Sequence, residues 1–171
     1  AHHTISFGAA WAETFDQIIG RGEVMTDPSF LLTSPSHTDP SVAPPGQSTY
    51  YALFPTPNLD HARPIDWARE GPAYQQHMLD TIERRLAPDL AGRIESVHLI
   101  TPLDWSAQGL AAGAPFGAAH SLRQTGPFRP ATLDRRFDNI VFCGTSSQPG
   151  VGIPMVLISG RLAAERIVGA R

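Results

Sequence analysis

The feature that most constrains this chain lies near its end. An apolar run, IVFC at 140–143, gives way to the glycine-rich stretch GTSSQPGVG at 144–152, and then to IPMVLISGRLAAERIV at 153–168. A run of β-formers closed by Gly144, a loop, and apolar residues at helical spacing predict a strand, a glycine loop and a helix. That order brings a helix N-terminus, with its free N–H groups, to a bound group that is anionic or electron-rich. Gly144, Gly150 and Gly152 permit dihedrals and close approaches that a side chain forbids. Pro154 falls in the first helical turn, where its missing N–H costs nothing. Gly160, Ala163 and Ala164 let the helix pack closely on a sheet. Two other glycine loops are excluded. No G-x-G-x-x-G stands early in the chain with an acidic residue about 20 positions on, and no lysine follows the glycines as a phosphate loop requires. On pattern alone, an ordinary strand–turn–helix and a ligand cradle are equally good readings.

Composition narrows the rest. The 171 residues amount to one domain's length. A net charge of −3 argues against a nucleic-acid surface, so no nucleic-acid partner is expected. A single cysteine excludes an intramolecular disulfide framework and fits a reducing compartment. With 15 Gly and 16 Pro, the chain should contain long ordered loops of the kind that wrap a ligand. No stretch approaches the about 20 apolar residues of a membrane span. The chain lacks an initiator Met and a signal peptide and runs at once into a strand, so the expectation is that it begins inside a larger protein.

Along the chain, strands are predicted at 4–7, 30–32, 49–54, 93–100 and 137–143. Residues 31–54 read as two antiparallel strands joined by the Pro-rich loop at 33–48. Apolar residues at 11, 15, 18 and 19 share one helical face, stopped by Gly20 and Gly22. The strongest helix spans about 66–86, with Asp66 as its cap and Gly71-Pro72 as a restart or kink near its front. A short helix is expected at 104–110 and a small-residue loop at 111–119.

Other constellations carry less. Seven histidines stand at 2, 3, 37, 61, 77, 98 and 120 without an H-E-x-x-H or H-x-x-x-H pairing, so no metal site is expected. Cys143 ends an apolar strand and reads as a buried, inert thiol. Ser146 and Ser147 lack a G-x-S-x-G context. Arg129 is expected to form a structural ion pair with Asp138, the alternative, on the resemblance described next, being contact with a cofactor.

The segment GTSSQPGVGIPMVLISG at 144–160 resembles the end of the bacterial-type phytoene desaturases, carotenoid-processing flavoproteins whose pattern there is G-x-(T/S)-H-P-G-x-G-I-P-x-V-x-x-S. Phe128-Arg129-Pro130, Asp134-Arg135 and Asp138-Asn139 match further family positions. So do His2-His3-Thr4, Ser48-Tyr50-Tyr51, Glu70-Gly71-Pro72 and Thr101-Pro102 to Asp104. The family's histidine before Pro-Gly is Gln148 here, and the stretch around Ala112-Gly113 is shorter and richer in alanine. Related oxidation states, isomerisation or a different isoprenoid therefore stay open as the chemistry.

The resemblance implies a mixed α/β (α+β) fold: an antiparallel substrate-domain sheet with flanking helices, plus the terminal strand, glycine loop and helix of a split FAD-binding Rossmann-type domain. Residues 1–125 would belong to the substrate-binding domain and 126–171 to the FAD-binding domain. The chain would be the C-terminal third of a protein near 500 residues, inactive by itself. FAD would be held only in the full-length protein, against Gly144, Thr145, Gly150, Val151, Gly152, Ile153, Pro154, Met155 and Val156. The implied chemistry is removal of two hydrogens from a carbon–carbon bond, with hydride passing to the flavin. An apolar polyene would lie against Phe30, Tyr50, Tyr51, Phe54 and Trp105, each of which also reads as plain core. No catalytic residue is assigned. The full protein would be cytoplasmic and touch the membrane surface peripherally. The terminal strand and helix would pack on themselves or self-associate with a second copy. The competing readings are a non-catalytic apolar-ligand-binding or assembly module, and another flavoprotein such as a polyene isomerase or an amine-oxidase-like enzyme.

Overall fold

The computed structural model describes residues 1–169. The last two residues of the expected 126–171 segment lie outside that range. The fold is mixed helix and sheet. Strand β1 (His3–Ser6), helix α1 (Trp11–Phe15), strand β2 (Phe30–Thr33), strand β3 (Tyr51–Leu53), helix α2 (Trp67–Arg85), helix α3 (Pro102–Ala107) and helix α4 (Ile153–Val168) follow in that order. Contacts divide the chain into two compact units, Ala1–Ala107 and a second from Gln108 onward.

In the first unit the three strands form one antiparallel sheet in the order β1-β2-β3. Ile5 faces Leu31 across the first pair, and Leu31 faces Leu53 across the second. The 31–54 hairpin with its long loop is therefore present, although β3 starts at Tyr51 rather than at Thr49. Phe30 is almost fully buried and stacks face to face on Phe54, with centroids 4.6 Å apart.

Helix α1 runs on into a single wider π turn, Asp16–Arg21, and stops at Gly22, whose φ of +71° favours glycine. Asp27 ties this segment to α2. Its carboxylate accepts the Ala10 N–H at 2.8 Å and pairs with Arg85, whose Nη1 also donates to the Pro28 carbonyl at 2.6 Å. These contacts hold the Asp27 carboxyl below its usual range, the Ala10 amide first among the causes and the Arg85 charge lesser.

Helix α2 begins where the Asp66 side chain accepts the Arg69 N–H, an N-cap. It runs through Pro72 without interruption, since a proline in the second turn removes only one helical hydrogen bond. Gly71 brings residues 99–101 close: a Cβ there would sit 3.4 Å from Leu99 Cδ2. Trp67, Tyr74 and Ile82 are buried on one face with Met25, the centre of this unit's core. Burial pushes the Tyr74 phenol up, only partly opposed by the Met25 backbone beside its hydroxyl.

Two predicted strands are not formed. Residues 94–100 are irregular and largely exposed, with no strand bonded beside them. Residues 137–143 make a single bridge, Val141 to Leu133, in place of a strand. Both runs carry β-forming side chains, but a strand exists only through a neighbour's hydrogen bonds. Cys143, expected to be buried at that strand's end, is exposed for the same reason.

Candidate functional site

The second unit is built around the glycine loop and α4. Helix α4 has the predicted bounds, Ile153 to Val168, and its N-cap is Gly152. A glycine has no side chain to cap with, and among the described residues no other side chain supplies a cap bond. The first intrahelical bond runs from the Val156 N–H to the Gly152 carbonyl at 2.9 Å. The Ile153 and Met155 amides ahead of it have no partner one turn back, the usual state of a helix start. Pro154 occupies the first turn and has no N–H to satisfy.

Gly144, Gly150 and Gly152 have φ of +114°, +146° and +105°, values that L side chains rarely adopt. At Gly144 and Gly152 an added Cβ would meet nothing within 4 Å. The loop thus offers open main chain beside an uncapped helix N-terminus, with partial positive charge there. That combination fits an anionic or electron-rich group that accepts hydrogen bonds from backbone N–H groups. Thr145, Val151, Met155 and Val156 are half-buried around it, whereas Ile153 is exposed.

The loop is fastened from below. The Gly144 N–H donates to Ser159 Oγ at 3.1 Å, and the Ser147 and Ser159 hydroxyls lie 3.0 Å apart. Ser147 Oγ also donates to the Gly144 carbonyl at 3.1 Å. Ser159 is fully buried and Ser147 nearly so. Gly117 lets the 111–119 stretch approach: a Cβ there would lie 2.7 Å from Ser146 Oγ and 2.8 Å from Thr145 Oγ1. An open groove of about 680 Å3, lined in part by Phe128, Leu133, Phe142 and Gln148, borders the loop.

Arg129 does not form the expected ion pair with Asp138. Its guanidinium is buried and is bonded to main-chain carbonyls, Ser147 among them at 3.2 Å. The sequence reading missed Gly117, Ser147 and Ser159 as loop supports. The serine closing the family pattern was the available signal for Ser159, because it recurs at a fixed distance after the glycines.

The aromatic residues expected at the substrate lie in the first unit and are distributed unevenly. Phe30 and Phe54 are stacked on each other. Tyr50 and Tyr51 are about half exposed, and Trp105 is half-buried on α3. Among the described residues, no three His, Cys, Asp or Glu side chains are grouped to hold a metal ion. No helix among the described residues is long and apolar enough to cross a membrane.

With the loop and helix in place, comparison with known proteins assigns the class. The profile of the flavin-containing amine oxidoreductases matches residues 16–168, so the chain belongs to that family of flavin-containing oxidoreductases. Within it, the chain is 53% identical to a phytoene dehydrogenase of Streptomyces griseus, over its whole length and 34% of that protein. It is 40% identical to a zeta-carotene-forming phytoene desaturase of Myxococcus xanthus, over 98% of this chain and 32% of that one. It is 39% identical to a lycopene-forming phytoene desaturase of a Paracoccus species, over 96% and 33%. The chain therefore spans about a third of the length of the curated relatives it matches.

Proposed function

We propose that this chain is the C-terminal part of a longer FAD-dependent oxidoreductase that desaturates a carotenoid or related isoprenoid polyene. The observation that carries the proposal is the positive-φ glycine loop, open at Gly144 and Gly152 where Cβ atoms would stand, at the start of α4. The relatives' names support the substrate class.

In this reading Gly144, Thr145 and residues 150–156 hold one face of FAD, as the last piece of a split Rossmann-type domain formed by residues 126–171. The bound flavin supplies the acceptor for the two hydrogens removed from a carbon–carbon bond. The protein's part is to bind, orient and tune: the free amides near Gly152 to Met155 favour negative charge on the group they face. Residues 1–125 belong to the substrate side. There Phe30, Tyr50, Tyr51, Phe54 and Trp105 supply apolar surface to a polyene without polar handles. Such a substrate dissolves in the bilayer, so the protein works at the cytoplasmic face of a membrane through a peripheral contact.

The test is expression of the full-length protein with phytoene-loaded vesicles. The expected result is a yellow protein with bound FAD that converts phytoene to products with longer conjugation. A full-length protein that binds polyene but no flavin would overturn the proposal in favour of a binding module.

A further inference from the structure

Outside the glycine cradle, the most unusual group is a buried cation with no carboxylate paired to it among the described residues. Arg129 is 2% exposed. Buried arginines ordinarily keep their charge next to an acidic partner. Here the guanidinium is held by main-chain carbonyls. Nη1 donates to Gln124 at 3.0 Å, Nε to Ser147 at 3.2 Å, and Nη2 to Ala118 at 3.3 Å and to Thr145. Two of these carbonyls belong to the glycine loop and two to the 118–124 stretch. Nε also stands 3.9 Å from where a Cβ on Gly150 would be. The planar fork thus joins two loops that share no strand or helix, immediately behind a glycine of the cradle.

We propose that Arg129 is the positioning residue of the cofactor loop, drawing the Thr145 and Ser147 carbonyls inward so that the glycine segment keeps the shape a flavin requires. This rests on the reading of residues 144–156 as a flavin cradle. The loop's other bonds involve its Gly144, Ser147 and Gln148 groups: the Gly144 N–H to Ser159, the Ser147 N–H and hydroxyl to the Gly144 carbonyl, the Ser147 and Ser159 hydroxyls to each other, and the Gln148 N–H to the Pro130 carbonyl at 2.9 Å; none of them engages the Thr145 or Ser147 carbonyl. Without the guanidinium, the Thr145 carbonyl loses this charged donor and the Ser147 carbonyl loses its bond to Nε. A lysine keeps the charge, but its donors radiate from a single nitrogen and do not match the fork. Geometry rather than charge is therefore the property under test.

The experiment uses the full-length protein carrying R129K, R129Q or R129A. Hydrogen exchange at the Gly144, Ser147 and Gln148 amides is measured in the flavin-free form, and flavin affinity is measured separately. Both R129K and R129Q should accelerate exchange at those amides about tenfold or more, with the α2 amides unchanged, and weaken flavin binding to a similar degree. Added guanidinium should restore part of both in R129A. Unchanged loop exchange in R129K would overturn the proposal, and so would acceleration that appears equally in α2, which signals general destabilisation. A wild-type protein that binds no flavin would remove the cradle reading alone, because the exchange measurement still decides the role of Arg129.

Discussion

Gly152 combines a φ of +105° with empty space where a side chain would begin. Valine there meets a strained backbone and fills the cradle at the same time. The G152V full-length protein should fold, as judged by circular dichroism, yet emerge from a desalting column with little flavin absorbance. A fully yellow G152V protein would show that this position does not face the cofactor. Gly117 is constrained differently, by neighbours as well as by its φ of +73°. G117A must displace the hydroxyls of Thr145 and Ser146, at a cost of about 1–3 kcal/mol in denaturant unfolding. Asp27 sets an acid limit. Its folded pKa lies below the value in the unfolded chain, so its contribution is fully present above the ordinary carboxylate range of about 4 and is lost as pH falls through the folded value. D27N should cost about 1–2 kcal/mol at neutral pH and flatten the acid limb of the stability curve. Asp66, Gly152 and Pro154 were legible from sequence because caps and first-turn prolines act within a few residues. The partners of Arg129 were not legible, since main-chain carbonyls look alike in every sequence.

At the scale of elements, the two long helices were the most legible features. Helix α2 follows from its cap and apolar spacing, and α4 from the glycines before it and the apolar run within it. The D66A variant should lose about 1 kcal/mol, measured by thermal or denaturant unfolding, because the Arg69 N–H loses its side-chain acceptor and keeps only the Asp66 carbonyl at 3.1 Å. The antiparallel pair at 31–54 was also foreseen from the residues, whereas the pairing of β1 with β2 was expected only through the family resemblance. Residues 93–100 have similar β-forming side chains but no strand bonded beside them, and 137–143 have only the single bridge from Val141 to Leu133. In the second run Phe137 and Phe142 are about half exposed. Helix α1 presents another uncovered face: Phe7, Trp11 and Phe15 lie edge to face or tilted along it, centroids 5.5 and 5.1 Å apart, all substantially exposed.

For the whole molecule, the chain covers about a third of its relatives' length and contains no second glycine fingerprint for a dinucleotide. On the proposed reading, the 171-residue chain titrated with FAD should show no retained flavin and no desaturation, whereas the full-length protein should show both. Turnover by the short chain would contradict the split-site reading. The sequence by itself determined the helices, the hairpin with its long loop, and the glycine segment that leads into α4. These depend on local propensity, spacing and capping, all written in neighbouring residues. Only the tertiary structure decided that Arg129 is hydrogen-bonded by carbonyls, that Ser147 and Ser159 fasten the loop, and that the run before Gly144 forms a single bridge. Each of those outcomes depends on which backbone groups from distant segments meet, and a carbonyl's partner is fixed by folding rather than by the residue that bears it.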